Sequence, residues 1–269
     1  MSTKGIFTAL SGAMAQDQKL ETIANNLANV NTTAFKKDQL VFREYLTANE
    51  KEPQILKVPK VPASIESFYD MNGGDKSYVD VAGSYTDFSQ GHLKPTGNAL
   101  DVAIEGSGFF EVLTPQGIQY TRNGSFKVDG QGFLVNQNGY PVLRAGTEAP
   151  QARRLQVQNG NRLTISYSGD VYERGENLGR LSVVDFNNKD ALKKVGRGLY
   201  SLKPNYNEAP RPQNDVKIHQ GFLEGSNVNI VKEMTDMIST TRTFQSTQEA
   251  IKAFDSMNEK LVNVVPKTN

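Results

Sequence analysis

The residues best suited to catalysis or metal binding are few and widely spaced in this sequence. His92 and His219 are its two histidines, and neither has a second ligand at the spacing of a metal pair. A serine triad would need one of them, yet no nucleophile-elbow sequence is present. We therefore expect both to be solvated surface histidines. The absence of cysteine excludes disulfides, thiolate zinc sites and cysteine nucleophiles.

Two glycine-containing motifs lack residues that a dinucleotide or calcium site requires. The GSGFF sequence at 106–110 has no third glycine and no helical pattern after it, unlike a dinucleotide loop. We expect it to pack closely against other backbone or to form a bulge before a strand. Asp129, Gly130 and Gly132 lack the later oxygen ligands of a calcium loop. The sequence thus predicts no cofactor, no metal and no small-molecule substrate.

The net charge and the hydropathy of the chain argue against nucleic-acid binding and membrane insertion. A formal net charge of +1 gives no electrostatic reason to expect nucleic-acid or acidic-membrane binding. The locally basic stretch LKKVGRGLYSLK, at 192–203, favours a solvated face or an inter-subunit contact over nucleic acid. No window approaches the ~20 apolar residues of a membrane span. The first residues do not resemble a conventional cleaved signal peptide.

The distribution of glycine distinguishes the parts of the chain that can be helical from the part that cannot. These elements would position any site. Of the 23 glycines, 21 lie between Gly73 and Gly225. Glycine weakens a helix by about 1 kcal/mol relative to alanine, so the two ends can be helical whereas the middle cannot. The sequence predicts an α+β fold in which N- and C-terminal coiled-coil helices flank a central antiparallel all-β domain.

Apolar residues recur every three or four positions at both ends, which predicts two amphipathic helices. The first extends from about Lys4 to Asn29 and is ended by the polar run 29–33. The second follows the capping side chains of SNVN, at 226–229, and extends to about Val264. Their apolar seams are narrow, as in coiled coils. The alternative that the two helices only pair and cover the central domain is equally open.

The middle of the chain has the pattern of short β-strands separated by turns. Asn123-Gly124, Asp129-Gly130, Asn138-Gly139 and Asn159-Gly160 are typical of tight turns, and their spacing suggests an antiparallel barrel or sandwich. The predicted strands are 101–104, 109–113, 117–121, 133–135, 163–167 and 181–186. Prolines between 42 and 74 indicate an extended connector. We predict a helical domain at 1–35 and 226–269, a connector at 36–75 and a β domain at 76–225.

Three segments, in order, resemble one protein family. LETIANNLANVNTTAFKKDQLVF, at 20–42, resembles the N-terminal signature of flagellar rod and hook proteins. Residues 98–143 are similar to their central β domain, and residues 219–255 to their C-terminal helix. Ala34 stands where the family often has glycine, which is tolerable if the turn is not left-handed. GIFTALSGAMAQ and LEGSNVN look most like the proximal-rod type, and the distal-rod type is the alternative.

The resemblance implies a structural subunit of the flagellar basal-body rod and not an enzyme. Its implied partners are other copies of itself, neighbouring proximal and distal rod proteins, and the flagellar type III export apparatus. It implies export without a cleaved signal peptide and a place in the periplasm-spanning rod, where the subunit transmits motor torque. No nucleic acid is implied.

Assembly is expected to use the helices, with asparagines setting the register between subunits. The alternative that these asparagines only cap and solvate the helix end is equally open. The predicted interface residues are Ile6, Leu10, Leu20, Ile23, Asn25, Asn26, Leu27, Asn29, Phe35, Met234, Met237, Phe244, Ile251, Phe254 and Leu261.

A secreted β domain that binds or cleaves cell-wall glycan is the alternative from another class of function. It needs a carboxylate pair beside a groove or an aromatic platform for sugar stacking. Glu105, Glu111, Asp129 and Asp170 are scattered along the sequence, and the chain has no tryptophan.

Overall fold

A computed structural model describes residues 4–46, 55–56, 63–64, 77–157, 163–213 and 216–264 of the chain. Helix α1 spans Lys4–Ala28, and helix α2 spans Ile230–Val264. The β-strands lie between them, as the distribution of glycine predicts. This arrangement confirms the α+β class and the order helix, β region, helix.

The strands in the first half of the chain are β1 (Asp38–Leu46), β2 (Ile55–Leu56), β3 (Ala63–Ser64), β4 (Ser77–Thr86), β5 (Leu93–Pro95), β6 (Val102–Glu105), β7 (Phe109–Thr114), β8 (Gly117–Thr121), β9 (Phe126–Val128) and β10 (Leu134–Asn136). Those in the second half are β11 (Leu163–Ile165), β12 (Asp170–Glu173), β13 (Glu176–Arg180), β14 (Val183–Asp185), β15 (Leu192–Gly196), β16 (Leu199–Leu202), β17 (Arg211–Pro212), β18 (Lys217–Gln220) and β19 (Phe222–Glu224). A short 3-10 helix spans Lys189–Ala191.

The first helix ends where the polar run begins. Past α1, the Thr32 N–H donates to Asn29 O at 3.1 Å, and the Thr32 hydroxyl lies 3.2 Å from Asn29 Oδ1. Short polar side chains here bond to nearby backbone and to each other, and the chain turns. Strand β1 follows within the segment predicted as a connector and pairs with β4. Residues 47–54, 57–62 and 65–76 of that segment lie outside the described residues.

The main sheet has six strands in the order β15-β16-β8-β7-β14-β17. Its neighbouring strands are all antiparallel. Phe109 and Phe110 begin β7, and because successive side chains point to opposite faces, they enter different cores. A large aliphatic core lies on the Phe110 side, and an aromatic cluster with Tyr120 and Tyr200 lies on the Phe109 side. The sheet is therefore covered on both faces.

Smaller antiparallel sheets complete the β region. Strands β11, β12 and β13 form a three-stranded sheet, while β9 pairs with β10, β18 with β6, β19 with β5 and β2 with β3. The GSGFF motif packs closely on strand β14, as expected, but its closest contact is with a side chain and not with backbone. Gly108 has φ of 132°, and a Cβ there would lie 2.7 Å from Val183 Cγ1.

The predicted tight turns are present in the structure only in part. Asn123-Gly124 lies in an irregular segment, where Gly124 O accepts from Val102 N at 3.0 Å, so the turn predicted there is wrong. A Cβ on Gly124 would overlap that backbone at 1.7 Å from Val102 O, which explains the glycine. Asn138-Gly139 is in a turn, and Asn159-Gly160 is outside the described residues.

Two of the two-residue hairpin turns are formed by Arg-Gly. Arg174-Gly175 joins β12 to β13, and Arg197-Gly198 joins β15 to β16. All four residues have positive φ, as the central residues of a type I′ turn do. Asn-Gly is the preferred dipeptide at such turns, so a search for that dipeptide misses both of these hairpins.

Internal packing divides the described residues into two units. The first, which we call the helical unit, draws on Met1–Leu27, Asp38–Tyr85 and Ile230–Asn269. The second, which we call the β unit, draws on Ala28–Lys37 and Thr86–Asn229. Neither described helix has an apolar stretch that is long enough to cross a membrane.

Candidate assembly site

Each terminal helix has an apolar face that is left largely uncovered. On α1, Phe7, Leu10 and Met14 are 54%, 45% and 61% exposed, at the three- and four-residue spacing of one helical face. The same spacing places Val231 and Ile238 on one face of α2, where they are 74% and 56% exposed. Exposed apolar surface of this kind is typical of sites that contact another protein, a membrane or a ligand. We call these faces the apolar stripes.

The predicted interface residues divide by exposure. Leu10, Asn25, Met234 and Phe254 are exposed, and Ile23 and Asn26 are buried. The remaining described side chains are partly buried, namely Ile6, Leu20, Leu27, Asn29, Phe35, Met237, Phe244 and Ile251. Leu261 lies in α2, but its side chain falls outside the described part of the chain.

One contact within the helical unit joins the two helices. A Cβ added to Gly5 on α1 would meet the Phe254 ring of α2 at 3.5 Å. The start of α1 therefore lies against the second half of α2 within one chain. Phe254 remains 36% exposed, so this contact leaves part of the ring available.

Asn26 makes its hydrogen bonds within the chain. Its Nδ2 donates to Asp38 O at 2.9 Å, and its Oδ1 accepts from Asp38 N at 3.0 Å. The side chain is 2% exposed. Asn26 thus ties α1 to the start of β1, and its register role between subunits stays a prediction.

The turn after α1 departs from the sequence-based expectation at Ala34. This residue has φ of 57°, so the turn is left-handed, and the condition under which alanine replaces glycine freely is not met. Ala34 is nevertheless buried, and its N–H donates to Glu224 O at 2.8 Å. The backbone after α1 is therefore hydrogen-bonded to the segment just before α2.

Side chains reinforce this junction through a buried ionic cluster, which we call the clamp. Lys36 Nζ lies 2.6 Å from Glu224 Oε1, and both side chains are fully buried. Lys36 also donates to Ser89 O at 2.7 Å, and Glu224 Oε1 accepts from Gly91 N at 2.9 Å. Arg122 Nε lies 3.6 Å from Glu224 Oε2. Removal of one member of such a cluster would leave an uncompensated buried charge.

The clamp shifts the pKa values of its cations. Burial lowers the pKa of Lys36, against the opposing attraction of the Glu224 carboxylate. Burial likewise lowers the pKa of Arg122, again opposed by Glu224. Sequence reasoning passed over all three residues. The available signal was that Lys36 and Glu224 each lie inside a segment that carries the family resemblance.

The two histidines have different surroundings. His92 is exposed, as expected, but the expectation of a solvated side chain is wrong for His219. Its Nε2 lies 2.6 Å from Glu105 Oε2, and its ring contacts Tyr167 and Phe222 edge-on. The Glu105 pKa is lowered by the His219 hydrogen bond.

The other carboxylates are also paired or bonded locally. Glu111 is buried with Arg153 and Ser182, and Asp170 pairs with Arg180 at 3.0 Å. Asp129 accepts two backbone N–H bonds in its own turn. Within the described ranges, no three His, Asp or Glu side chains are grouped as metal ligands would be. Each of these carboxylates is therefore engaged in a local ion pair or turn.

Comparison with known families agrees with this picture. The family described as flagella basal body rod protein matches residues 6–36, and the flagellar hook protein FlgE/F/G D1 domain matches 103–173. The flagellar basal body rod FlgEFG protein C-terminal family matches 219–264. These matches include much of α1, the clamp residues Lys36, Arg122 and Glu224, and α2.

Relatives along the full length are similar to the same degree. FlgG of Borreliella burgdorferi is 33% identical over 94% of this chain and 96% of its own. FlgF of Caulobacter vibrioides is 33% identical over 98% of each chain. FlgG of Bacillus subtilis is 30% identical over 97% of this chain and 98% of its own. The chain belongs to the FlgF/FlgG family of flagellar basal-body rod proteins.

Proposed function

We propose that this chain is a structural subunit of the flagellar basal-body rod and assembles through its two terminal helices. The observation that carries the proposal is the pair of apolar stripes, on a chain whose relatives are rod proteins. Burial of one large apolar side chain contributes roughly 1.5–3 kcal/mol. A subunit that repeats such contacts along a filament gains that contribution at every interface.

The stripes fit a helical, open-ended assembly. They lie on two different helices, so a stripe on one subunit can meet a different surface on the next. Contacts of this head-to-tail kind generate a filament when the rotation does not close. Coiled-coil packing of α1 and α2 against neighbouring copies is the geometry we propose. The interface would use the exposed and partly buried members of the predicted set, with Leu10, Met234 and Phe254 foremost.

The proposal also covers the partners, the export route and the location of the subunit. The neighbours are other copies of the chain and adjoining rod proteins, and delivery is through the flagellar type III export apparatus without signal-peptide cleavage. The assembled rod spans the periplasm and transmits motor torque. A rigid β unit suits that load because its sheet is covered on both faces.

Within the rod we propose the proximal type, supported by the start and end segments of the sequence and by the FlgF relative of Caulobacter vibrioides. The distal type is the second candidate, because the FlgG relative of Borreliella burgdorferi is equally identical. Complementation separates the two. Rescue of swimming in a FlgF-null strain but not in a FlgG-null strain supports the proximal type, and the reverse result supports the distal type.

Val231→Asp tests the assembly surface. Val231 is 74% exposed, so we expect the melting temperature of the monomer to change by less than about 2 °C. A charge in the stripe should, however, cost several kcal/mol at each repeated contact. The amount of the variant in purified basal bodies and the swimming rate should therefore both fall at least tenfold.

Thr243→Asp is the matched control. Thr243 is exposed on the side of α2 away from Val231 and Ile238, so it introduces the same charge off the stripe. It should assemble and swim as the wild type does. Normal incorporation of Val231→Asp, or equal defects in both variants, would contradict assembly through the stripe.

A further inference from the structure

The hairpin formed by β15 and β16 borders a cleft that is lined by no residue of the apolar stripes, although Asn29 and Phe35 of the predicted interface set do line it. The cleft has a volume of about 380 Å³ and lies between the turn at 29–35 and the hairpin tip. That volume is within the range of about 300–1000 Å³ that is usual for binding pockets. All of its lining residues belong to the β unit. We call it the Arg197 cleft.

Most of the residues that line the cleft are polar and two of them are cationic, while apolar side chains and backbone carbons also face it. Side-chain amides and hydroxyls form much of the wall, and Lys194 and Arg197 add two positive charges. No acidic residue is among the residues that line it. Lys194 is already engaged, because its Nζ donates to Lys36 O at 2.6 Å and lies 4.6 Å from the Phe35 ring centroid.

Arg197 differs from Lys194 in having an uncommitted charge. Across the described ranges of the chain, its guanidinium forms no hydrogen bond or ion pair. Its residue is exposed at the tip of the hairpin. A planar guanidinium can hold a carboxylate through two parallel hydrogen bonds. The cleft is therefore complementary to a carboxylate.

The backbone at Arg197 is an unfavourable place for arginine. Its φ is 54°, in the left-handed region that glycine and asparagine adopt with less strain. Asparagine would suit the first central position of this type I′ turn better. Arg174 has the same left-handed conformation, with φ of 52°, so what distinguishes Arg197 is its position in the lining of the cleft.

The hairpin tip is held in place by its neighbours. Thr121 Oγ1 donates to Gly198 O at 2.8 Å, and Asn138 Nδ2 lies 3.5 Å from Arg197 O. A fixed tip positions the guanidinium beside the cleft before any partner arrives. Such pre-organisation reduces the entropy lost on binding.

We propose that the Arg197 cleft docks an acidic peptide segment of a neighbouring rod subunit. This inference rests on the proposed function, because it supplies the neighbour. A carboxylate of the segment pairs with Arg197, and the amides of Asn123 and Asn138 bond to its backbone. The aromatic rings nearby do not offer a sugar platform, since Tyr200 is 3% exposed and Lys194 covers Phe35.

The decisive variant is Arg197→Asn, made in the full chain and expressed in a strain that lacks the chromosomal copy. Asparagine relieves the backbone strain, so the melting temperature should equal or exceed that of the wild type. Loss of the guanidinium should nevertheless reduce the amount of the chain in purified basal bodies at least fivefold. If Arg197 had only a structural role, its replacement would not reduce incorporation while the melting temperature stayed equal or rose.

Arg174→Asn is the matched control, because it makes the same change at the other Arg-Gly turn, outside the cleft. It should raise or preserve the melting temperature and leave incorporation unchanged. Equal incorporation of Arg197→Asn and Arg174→Asn would overturn the proposal. If the strain without the chain swims normally, the rod function itself fails, whereas normal swimming of Arg197→Asn alone overturns only the docking site.

A photo-crosslinking residue in place of the exposed Gln137, which lines the cleft, identifies the occupant in assembled basal bodies. We expect the crosslinked peptide to come from another rod subunit and to contain Asp or Glu. Its yield should fall at least fivefold in Arg197→Asn and stay unchanged in Arg174→Asn. Crosslinking to glycan, to a peptide without acidic residues, or to nothing would contradict an acidic segment.

Discussion

The β unit and the helical unit differ in how far their apolar side chains are buried. Twelve of the fifteen large apolar side chains that are exposed among the described residues belong to the helical unit. The three in the β unit are Tyr167, Val195 and Tyr206. Conversely, Ala13, Ala15 and Ile23 are the buried apolar residues that the described part of the helical unit contributes.

This difference separates a finished domain from one that is completed by partners. Apolar surface removed from water stabilises a fold by about 25 cal/mol per Å². The β unit obtains that stabilisation from its own two cores, whereas the helices leave much of theirs in water as a monomer. Under the proposed function, the exposed apolar side chains of the two helices are where neighbouring subunits would supply the missing contacts.

Most of the buried charged residues among those described also belong to the β unit, and Glu233 of α2 is the exception. The β unit buries Lys36, Glu224 and Arg122 in the clamp, and it buries Glu111 with Arg153. Buried charges persist only when they are paired and hydrogen-bonded. The β unit is therefore intolerant of change at these positions, while the apolar stripes should tolerate change as long as the chain stays monomeric.

The largest effect is expected from Glu224→Ala, which breaks the completed β unit. Lys36 and Arg122 would lose their shared carboxylate in a site closed to water. We expect the free energy of unfolding to fall by about 3–5 kcal/mol. Denaturant titration followed by tyrosine circular dichroism measures this change.

Glu148→Ala provides the exposed comparison. Its carboxylate pairs with Arg144 at 2.5 Å, but the side chain is 53% exposed. An ion pair in water contributes at most about 1 kcal/mol. Similar losses from Glu224→Ala and Glu148→Ala would show that burial of the clamp does not matter.

A smaller effect should appear at alkaline pH through Tyr120. Burial raises the pKa of Tyr120 from 10.0 to about 12, and the nearby Glu111 carboxylate adds to the shift. Because the folded state favours the neutral phenol, its contribution is complete below pH 10 and is lost as the pH rises to about 12. Tyr120→Phe should therefore show a shallower loss of stability across that window.

Tyr206→Phe is the control for this titration, since Tyr206 is 43% exposed. Its stability should fall with pH in parallel with the wild type. A pH profile of Tyr120→Phe that is superimposable on the wild-type profile would contradict the role of the buried phenol.

The smallest effect is expected from Ala34→Gly. Relief of left-handed strain favours the variant by about 1–2 kcal/mol. Loss of a buried methyl group, about 0.8 kcal/mol, and the extra freedom of glycine in the unfolded chain, about 0.4–1 kcal/mol, oppose it. These contributions nearly cancel, so the net change in unfolding free energy should be within about 0.8 kcal/mol of zero by denaturant titration.

Ala34→Val sharpens that result. A β-branched residue is strongly disfavoured at positive φ, and Ala34 is only 3% exposed, so we expect a loss above about 2 kcal/mol. Stabilisation of Ala34→Gly by more than 1 kcal/mol would mean that alanine is a real defect here.

Particular elements show how far the sequence could predict the fold. The helix boundaries at Ala28 and Val264 agree with the expectation within one residue, because glycine depletion, apolar periodicity and a polar stop are local signals. The strands at 109–114 and 117–121 were also recovered from apolar runs. The Arg-Gly hairpins were missed, because arginine in a left-handed conformation contradicts local preference.

The candidate site was predictable only in part. The seams on α1 and α2 follow from periodicity, but which residues stay exposed depends on what packs on each helix. Phe7 and Met14 are more exposed than the buried Ile23 of the same helix. Asn26 was named for contacts between subunits, yet its amide bonds to Asp38 in its own chain.

The family resemblance, the two helices and the β character of the middle could be predicted from the sequence alone, since each depends on residues close together in the chain. The contact of Lys36 with Glu224, 188 residues away, and the position of Arg197 beside a cleft without acidic residues are evident only in the folded structure. Burial and charge pairing depend on neighbours in space. Such neighbours are created by folding and leave no local pattern in the sequence.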